Sequence, residues 1–126
     1  MIRKILFLAL TSVILASEFS LIAITHKSCP VCQAWHDEVV PYYDLEAKKQ
    51  RLPKLSQYDI SDNDSRQWVR QNIGGIAALP TFVIVEGGEV KQKFEGYSDY
   101  RDFFISLNKA IIQELKKTAA KSVDTK

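Results

Sequence analysis

The fold is decided by residues 20–32, which read Ser-Leu-Ile-Ala-Ile-Thr-His-Lys-Ser-Cys-Pro-Val-Cys. The run from Ser20 to Thr25 is almost continuously apolar, as expected for a short strand that is covered on both faces. Cys29 follows after three residues, and Pro30 stands in the first turn of a helix, where its missing N–H costs no hydrogen bond. The stretch therefore predicts a buried strand that leads directly into a helix opening with a cysteine pair.

The rest of the chain alternates between helix and strand patterns. The helix that opens at Cys29 contains Pro41, which we expect to kink or interrupt it, and it ends at Leu52-Pro53. Capping residues, β-branched runs and apolar helical periodicity predict five more elements: a strand over 55–60, a helix over 66–73, strands over 81–85 and 90–94, and a helix from Ser98 or Asp99 to about Lys117.

The connections between these elements predict a sheet of mixed direction. Helices between the first three strands imply parallel crossovers. Gly87-Gly88 supply the positive φ angles of a tight hairpin, so the fourth strand returns antiparallel to the third, and its Lys91 and Lys93 mark it as an edge strand. We predict an α/β fold of order β-α-β-α-β-β-α, with helices on both faces of a four-stranded mixed sheet.

Size and charge exclude several classes of protein. The 126 residues are enough for one domain, and 46% hydrophobic with 25% charged residues is typical of a globular chain. The formal charge is +2, from 17 basic and 15 acidic residues, and no run of Lys and Arg is present. We therefore expect a monomer that does not bind nucleic acid.

Residues 1–17 have the pattern of a secretory signal. Arg3-Lys4 forms a basic start, an apolar run extends from Ile5 to Leu15, and the small residues Ala16-Ser17 end the segment. We expect this signal to be cleaved. Its removal would take the net charge from +2 to zero, because no other charged residue precedes Glu18.

The first alternative is an uncleaved membrane anchor over residues 5–24, although serines and an acidic residue make its second half a poor span. The second is a first strand or helix of a cytosolic fold. Either form of export places the cysteines in an oxidising compartment, and we expect the periplasm. The predicted domain covers residues 18–117, and residues 118–126 are predicted to be a frayed C-terminal tail.

Cys29 and Cys32 are the only cysteines, so a scaffold held together by disulfides is excluded. A thiolate at a helix N-terminus is stabilised by unpaired backbone N–H groups and by the positive end of the helix dipole. Cys29 is therefore predicted to be the exposed nucleophile, and Cys32, one turn further in, the shielded resolving thiol. His26 and Lys27 can add positive charge. Such a pair needs no cofactor beyond its own redox-active disulfide.

Two other uses of the cysteines remain open. A zinc site could combine Cys29 and Cys32 with His36, but this makes three ligands where structural zinc takes four, so we expect no metal. An inert disulfide is the second alternative, although so short a loop constrains the unfolded chain little. Haem attachment is excluded, because Gln33 rather than His follows Cys32.

Three further residues are candidates for the site. Pro80 directly precedes a strand, where it cannot donate to the ladder, so it either simply begins the strand or makes a cis bond with Leu79. Trp35 lies at a helical position that is typical of core or groove-lining residues. His36 is either a solvated helix residue or a modulator of the thiolate.

The order strand, Cys-Pro-x-Cys, helix, and then a proline before the third strand resembles the thioredoxin fold. The resemblance covers about Leu21 to Leu115. It implies that Pro80 is the cis-proline packed against the cysteines and that Leu79 faces the disulfide. It also implies that a partner chain binds beside Pro80, on a surface completed by Pro30 and Val31.

Several positions differ from the best-known members of this fold. Ser28 replaces the Trp that thioredoxins place before the first cysteine, Pro30-Val31 replaces Gly-Pro, and Ala23 replaces a buried acid. The Cys-Pro-x-Cys pattern is more similar to glutaredoxins and Dsb-type proteins. Ala78-Leu79 and Gly96-Tyr97 nevertheless differ from the Thr-Val and the glycine pair of glutaredoxins.

Within this fold, the chain resembles the small exported thioredoxin-like proteins of bacterial sulfur-oxidation (Sox) gene clusters. The shared pieces are Cys29-Pro30-x-Cys32, Ala34-Trp35-His36, Pro41, Tyr43, Pro80-Thr81-Phe82-Val83, Glu95-Gly96-Tyr97 and Phe103-Phe104. This resemblance implies a thiol–disulfide oxidoreductase that acts on cysteines of exported proteins, with a membrane or periplasmic electron donor or acceptor. A redox-responsive regulatory or adaptor protein without turnover is the alternative.

Overall fold

The computed structural model describes residues 18–124, with side chains up to residue 120. Its single sheet has the strand order β2-β1-β3-β4. The elements are β1 (Phe19–Thr25), α1 (Pro30–Gln50), β2 (Lys54–Asp59), α2 (Asn63–Asn72), β3 (Thr81–Glu86), β4 (Glu89–Glu95) and α3 (Tyr100–Asp124). The predicted order and the four-stranded mixed sheet are confirmed, while the predicted signal at residues 1–17 lies outside the described residues.

β1 is a central strand that pairs parallel to β2 and antiparallel to β3. Its four residues from Leu21 to Ile24 are buried, because helices cover both faces of the sheet at this point. Ala23 lies between Gln57 of β2 and Phe82 of β3. The apolar run that predicted a doubly covered strand therefore has the expected position.

Two apolar clusters cover the two faces of the sheet, because successive strand residues point to opposite sides. The first core lies under α1 and α3 and contains Leu21, Ala23, Trp35, Val39, Tyr43, Phe82, Ile84, Phe103, Phe104, Leu107 and Ala110. The second core lies under α2 and contains Ile22, Ile24, Val69 and Val83. Helices on both faces were predicted, and this is confirmed.

β3 runs opposite to β2, so the predicted parallel crossover between these two strands is wrong. α2 has only 10 residues, a length of about 15 Å. Residues 73–80, which can extend over about 26 Å, then return the chain to the sheet edge where β2 ended. β3 begins there, with Thr81 opposite Ile24 of β1. The crossover from β1 to β2 is parallel, as predicted.

α1 continues through Pro41, so the predicted interruption is wrong. Pro41 removes one helical hydrogen bond, and its side chain is exposed. Val39 and Tyr43, on either side of it, are buried in the first core. The Tyr43 hydroxyl also donates to the carbonyl of Pro53 at 2.5 Å, which fixes the second half of the helix. Packing here outweighs the cost of the proline.

α3 extends to Asp124, beyond the predicted end near Lys117. The residues after Lys117 include two alanines and neither glycine nor proline, so no stop signal is present. The Thr118 hydroxyl donates to the carbonyl of Glu114 at 3.1 Å, within the continuing helix. Neither α3 nor any other helix of residues 18–124 is long and apolar enough to cross a membrane.

β3 and β4 form the predicted tight hairpin. Gly87 and Gly88 have φ angles of 59° and 80°, a region that favours glycine. The register shifts between Ile84 and Val85, where one extra residue, Lys91, is inserted in β4. β4 lies at the edge of the sheet, as predicted.

Candidate functional site

Cys29 is the N-cap residue of α1, just beyond the carboxyl end of β1. Its backbone is extended, with φ −94° and ψ 109°, and its N–H donates to the carbonyl of His26 at 3.0 Å. Its Sγ accepts a hydrogen bond of 3.1 Å from the N–H of Cys32. The sulfur thus takes the place of the side-chain oxygen at an ordinary N-cap, where negative charge is favoured.

Cys32 lies one turn further along α1 and is only 3% exposed, whereas Cys29 is partly exposed. Burial raises the pKa of the Cys32 thiol to about 11, and its hydrogen bond with Cys29 adds to the rise. Both thiols are free. Cys32 is therefore a protonated thiol near neutral pH, and the two sulfurs differ in exposure as the helix position predicts.

Pro80 directly precedes β3 and is fully buried. Its peptide bond with Leu79 is cis, and its carbonyl accepts from the N–H of Gly96 at 2.8 Å. Because Ile24 pairs with Thr81, Pro80 lies at the same sheet edge from which the chain leaves β1 toward the cysteines. The Leu79 side chain is half-buried against the second core.

Pro30 and Val31, between the two cysteines, are exposed, and Val31 is 42% exposed although it is apolar. An exposed apolar side chain beside a reactive sulfur offers contact area to another chain. These two residues are therefore accessible in the way that the predicted partner-binding surface requires.

A cavity of about 220 Å³ opens beside Cys32, and it is lined by Thr25, His26, Lys27, Cys32, Gln33, His36 and Asp59. Asp59 ends β2 opposite Thr25. Its Oδ1 accepts from the hydroxyl of Ser61 at 2.6 Å and from the N–H of Ser61 at 2.9 Å. These hydrogen bonds hold the pKa of the Asp59 carboxyl below its usual value.

Asp59 was not among the predicted site residues, because Asp59, Asp62 and Asp64 together are typical of turn and helix-cap residues. A signal for its position exists in the sequence. It ends a strand that is parallel to β1, and the carboxyl ends of parallel strands lie at the same sheet edge. The pairing of β2 with β1, rather than a local sequence motif, therefore places the Asp59 side chain at the cavity beside Cys32.

His26, Lys27 and His36, the predicted modulators, all line this cavity. His26 is half-buried, and its Nδ1 accepts from the N–H of Ser28 at 3.0 Å. His36 follows Cys32 by one helical turn, which brings the two side chains to one face of α1. The His36 side chain is 55% exposed, and its Nδ1 lies 3.7 Å from Oδ1 of Asp37.

Trp35, the remaining predicted modulator, is fully buried in the first core. Its ring packs against Phe82 and Phe103, with centroid distances of 5.2 and 5.9 Å. Its indole N–H has no hydrogen-bond partner among the described residues. Trp35 therefore supports α1 from below and does not line the surface around the cysteines.

Metal ligation has no geometric support within residues 18–124, where no three His, Cys, Asp or Glu side chains converge on one point. The chemistry that the arrangement does provide is that of two sulfurs on one helical turn, one accessible and one buried. Their exposure and hydrogen bonding suit nucleophilic attack by one sulfur and intramolecular attack by the other.

Comparison with known proteins gives structural neighbours only. No protein-family model and no curated protein sequence matches the chain. The reduced periplasmic thioredoxin SoxS of Paracoccus pantotrophus is 22% identical with a TM-score of 0.62, over 77% of this chain and 99% of that one.

Two further solved structures have similar scores. A thioredoxin from Thermus thermophilus has a TM-score of 0.57 at 14% identity, over 76% of this chain and 75% of that one. A chain in the complex of ferredoxin:thioredoxin reductase with thioredoxin f2 has a TM-score of 0.55 at 20% identity, over 74% and 77%. The protein therefore has the thioredoxin fold, as the Cys-Pro-x-Cys resemblance implied. The likeness to the Sox-type thioredoxins extends over nearly the whole length of SoxS.

Proposed function

We propose that the protein is an exported thiol–disulfide oxidoreductase that acts on cysteines of partner proteins. The observation that carries this proposal is the pairing of a partly exposed Cys29 sulfur, hydrogen-bonded at a helix N-terminus, with a buried Cys32 one turn away. Thioredoxin neighbours, one of them crystallised with a reductase, support protein partners of both kinds: substrates and an electron donor or acceptor.

The reaction needs only the two sulfurs. The Cys29 thiolate attacks a partner disulfide, forming a mixed disulfide and releasing one partner sulfur as a thiolate. Cys32 then attacks the Cys29 sulfur, which releases the second partner sulfur and leaves the Cys29–Cys32 disulfide. The partner has been reduced and the protein oxidised by two electrons. The reverse sequence oxidises a partner dithiol.

The partner chain is proposed to bind across Pro30, Val31, Leu79 and Pro80. Pro30 and Val31 are exposed beside the reactive sulfur, and Pro80 directly precedes β3 at the end of the sheet from which β1 leads to the cysteines. An extended peptide lying along this end of the sheet would bring its own cysteine to Cys29.

Insulin reduction by dithiothreitol, followed by turbidity, tests the proposal. We expect Cys29→Ser to abolish catalysis, because no other cysteine can replace it. Cys32→Ser should accumulate a mixed disulfide with the substrate, visible on a non-reducing gel and released by excess dithiothreitol. Ser28→Ala, which changes an exposed neighbour without touching a sulfur, is the matched control and should keep wild-type activity.

Full activity in Cys29→Ser would refute the proposal. If instead the wild-type protein binds a partner stoichiometrically in one redox state and never cycles, the redox-adaptor alternative replaces it. The reduction potential decides the direction of electron flow: a value near about −270 mV would match thioredoxin, and one near about −120 mV would match DsbA.

Export is a separate part of the proposal, supported by the basic and apolar pattern of residues 1–17 and by the periplasmic origin of SoxS. Expression of the full chain in a Gram-negative host should place it in the periplasmic fraction, with Glu18 as the first residue. Changing Arg3 and Lys4 to Glu should retain it in the cytoplasm. Recovery of the intact chain in the membrane fraction would favour the anchor instead.

A further inference from the structure

Resolution of the mixed disulfide requires Cys32 to lose its proton, and the structure surrounds this thiol with few groups that could take it. Burial raises the pKa of this thiol to about 11, so Cys32 carries its proton near neutral pH. The cavity beside Cys32 is also lined by three groups able to accept a proton, namely His26, His36 and Asp59.

Asp59 is a poor proton acceptor. Its Oδ1 accepts two hydrogen bonds from Ser61, and these hold the pKa of the carboxyl below its usual value. The carboxylate therefore stays ionised at neutral pH, and it contributes a fixed negative charge to the cavity.

His26 has no nitrogen free to accept. A neutral imidazole has one nitrogen with a lone pair, and in His26 this is Nδ1, which accepts from the N–H of Ser28 at 3.0 Å. If Nδ1 were protonated, its N–H would face the N–H of Ser28, and two donors would replace the hydrogen bond.

His36 keeps its lone pair available. The distance of 3.7 Å from its Nδ1 to Oδ1 of Asp37 is too long for a hydrogen bond, and that oxygen already accepts from Nε2 of Gln33 at 2.9 Å. Imidazole is also the side chain that readily changes charge between pH 5 and 8. The charged side chains around this ring are Asp37 beside it and Asp59 and Lys27 in the same cavity.

We propose that His36 accepts the Cys32 proton, through a water molecule in the cavity, as Cys32 attacks the Cys29 sulfur. The bond between Cys32 and Cys29 forms, the bond between Cys29 and the partner sulfur breaks, and the partner leaves as a thiolate. The proton passes from Cys32 to His36 and then to solvent, to which the ring is open. This inference rests on the proposed function and assigns the proton transfer within it.

An aryl disulfide with a coloured leaving thiolate, dithiobis-nitrobenzoate, separates the two steps. Stopped-flow mixing with the reduced full-length protein should release one thiolate as Cys29 attacks and a second as Cys32 resolves. The first phase reports the proposed function, and the second reports the proton transfer. The rate of the second phase is measured against pH for wild type, His36→Asn and His26→Asn.

The wild-type second phase should accelerate as imidazole loses its proton and then level off. In His36→Asn we expect a rate about 100-fold lower at pH 7, near the lower end of what general bases contribute. Its rate should rise steadily with pH toward the titration of Cys32. Free imidazole in the buffer should restore part of the loss, because the site is open. His26→Asn should retain the levelling-off.

A second phase in His36→Asn with the wild-type rate and pH profile would overturn the assignment. The assignment would also be overturned if the second phase levelled off with pH in His36→Asn but not in His26→Asn, because His26 would then be the proton acceptor. Absence of the first phase from the wild-type protein would instead contradict the proposed function. Because His36 is exposed, its replacement should leave the fold intact, and a normal first phase in the variant verifies this.

Discussion

The two faces of the sheet are covered by side chains of different size, and the helix that carries both cysteines covers the face with the larger ones. The first core contains Trp35, Tyr43 and three phenylalanines, whereas the second core is built from four aliphatic side chains. α1, which carries both cysteines, packs on the first core, and α2 packs on the second. Most of the buried aromatic side chains therefore pack under the helix whose N-terminus positions the two sulfurs.

The largest expected effect is that of Trp35→Ala on the first core. Removing a fully buried indole should lower the free energy of unfolding by about 3–5 kcal/mol, measured by urea denaturation. The rate of resolution should also fall, because Trp35 lies one turn from Cys32. Trp35→Phe is the control and should cost less, since the indole N–H that it removes has no partner within the described residues. Equal losses in the two variants would contradict this.

Val69→Ala tests the face of the sheet that is covered by the second core. Loss of two buried methyl groups should cost about 2 kcal/mol of unfolding free energy. Because α2 carries neither cysteine, insulin reduction should keep its wild-type rate at temperatures where the variant is folded. A variant that is folded but catalytically impaired would show that the two faces are coupled.

A smaller effect is expected at the margin of the second core, where the rings of Tyr58 and Trp68 stack at 4.2 Å with an angle of 3°. Single and double alanine variants should give a coupling energy of about 0.5–1.5 kcal/mol in a double-mutant cycle. A coupling close to zero would mean that this stack covers the core without stabilising it.

The smallest effect at neutral pH is expected for Glu114→Gln, at the first core's far end. Hydrogen bonds from Gln92 and then Lys117 hold the pKa of this buried carboxyl below its usual value. A lowered pKa in the folded state means that stability is present above the unfolded value and is lost as pH falls. The wild type should therefore lose more stability than Glu114→Gln between about pH 6 and about pH 3.

Glu95→Gln, on the exposed surface of β4, is the control for this pH dependence. Its unfolding free energy should fall with pH as steeply as that of the wild type. If the unfolding free energy of Glu114→Gln falls with pH as steeply as that of the wild type, the Glu114 carboxylate does not contribute to the pH dependence of stability.

Local signals were sufficient to predict most of the fold and the two sulfurs. The apolar run of β1, the Gly87-Gly88 turn and the cysteine at a helix start each depend on neighbouring residues. Their physical causes are strand burial, positive φ and N-capping, which act over a few positions. The exposed and buried environments of Cys29 and Cys32 follow from the same helix position.

The features that were missed depend on residues far apart in the chain. The direction of β3 depends on how far the connection after α2 travels, and the continuity of α1 at Pro41 depends on the first core beneath it. Asp59 reaches the cavity beside Cys32 only because β2 pairs with β1. No local pattern records such pairings.

The extra residue Lys91 in β4 has a consequence for the behaviour of the protein in concentrated solution. An edge strand with regular, unpaired backbone groups is a template on which another molecule can add a strand. The bulge at Lys91 breaks the regular spacing of those groups, and the exposed Lys93 would bury a charge in any added sheet. This side of the sheet is thereby protected against edge-to-edge aggregation into fibres.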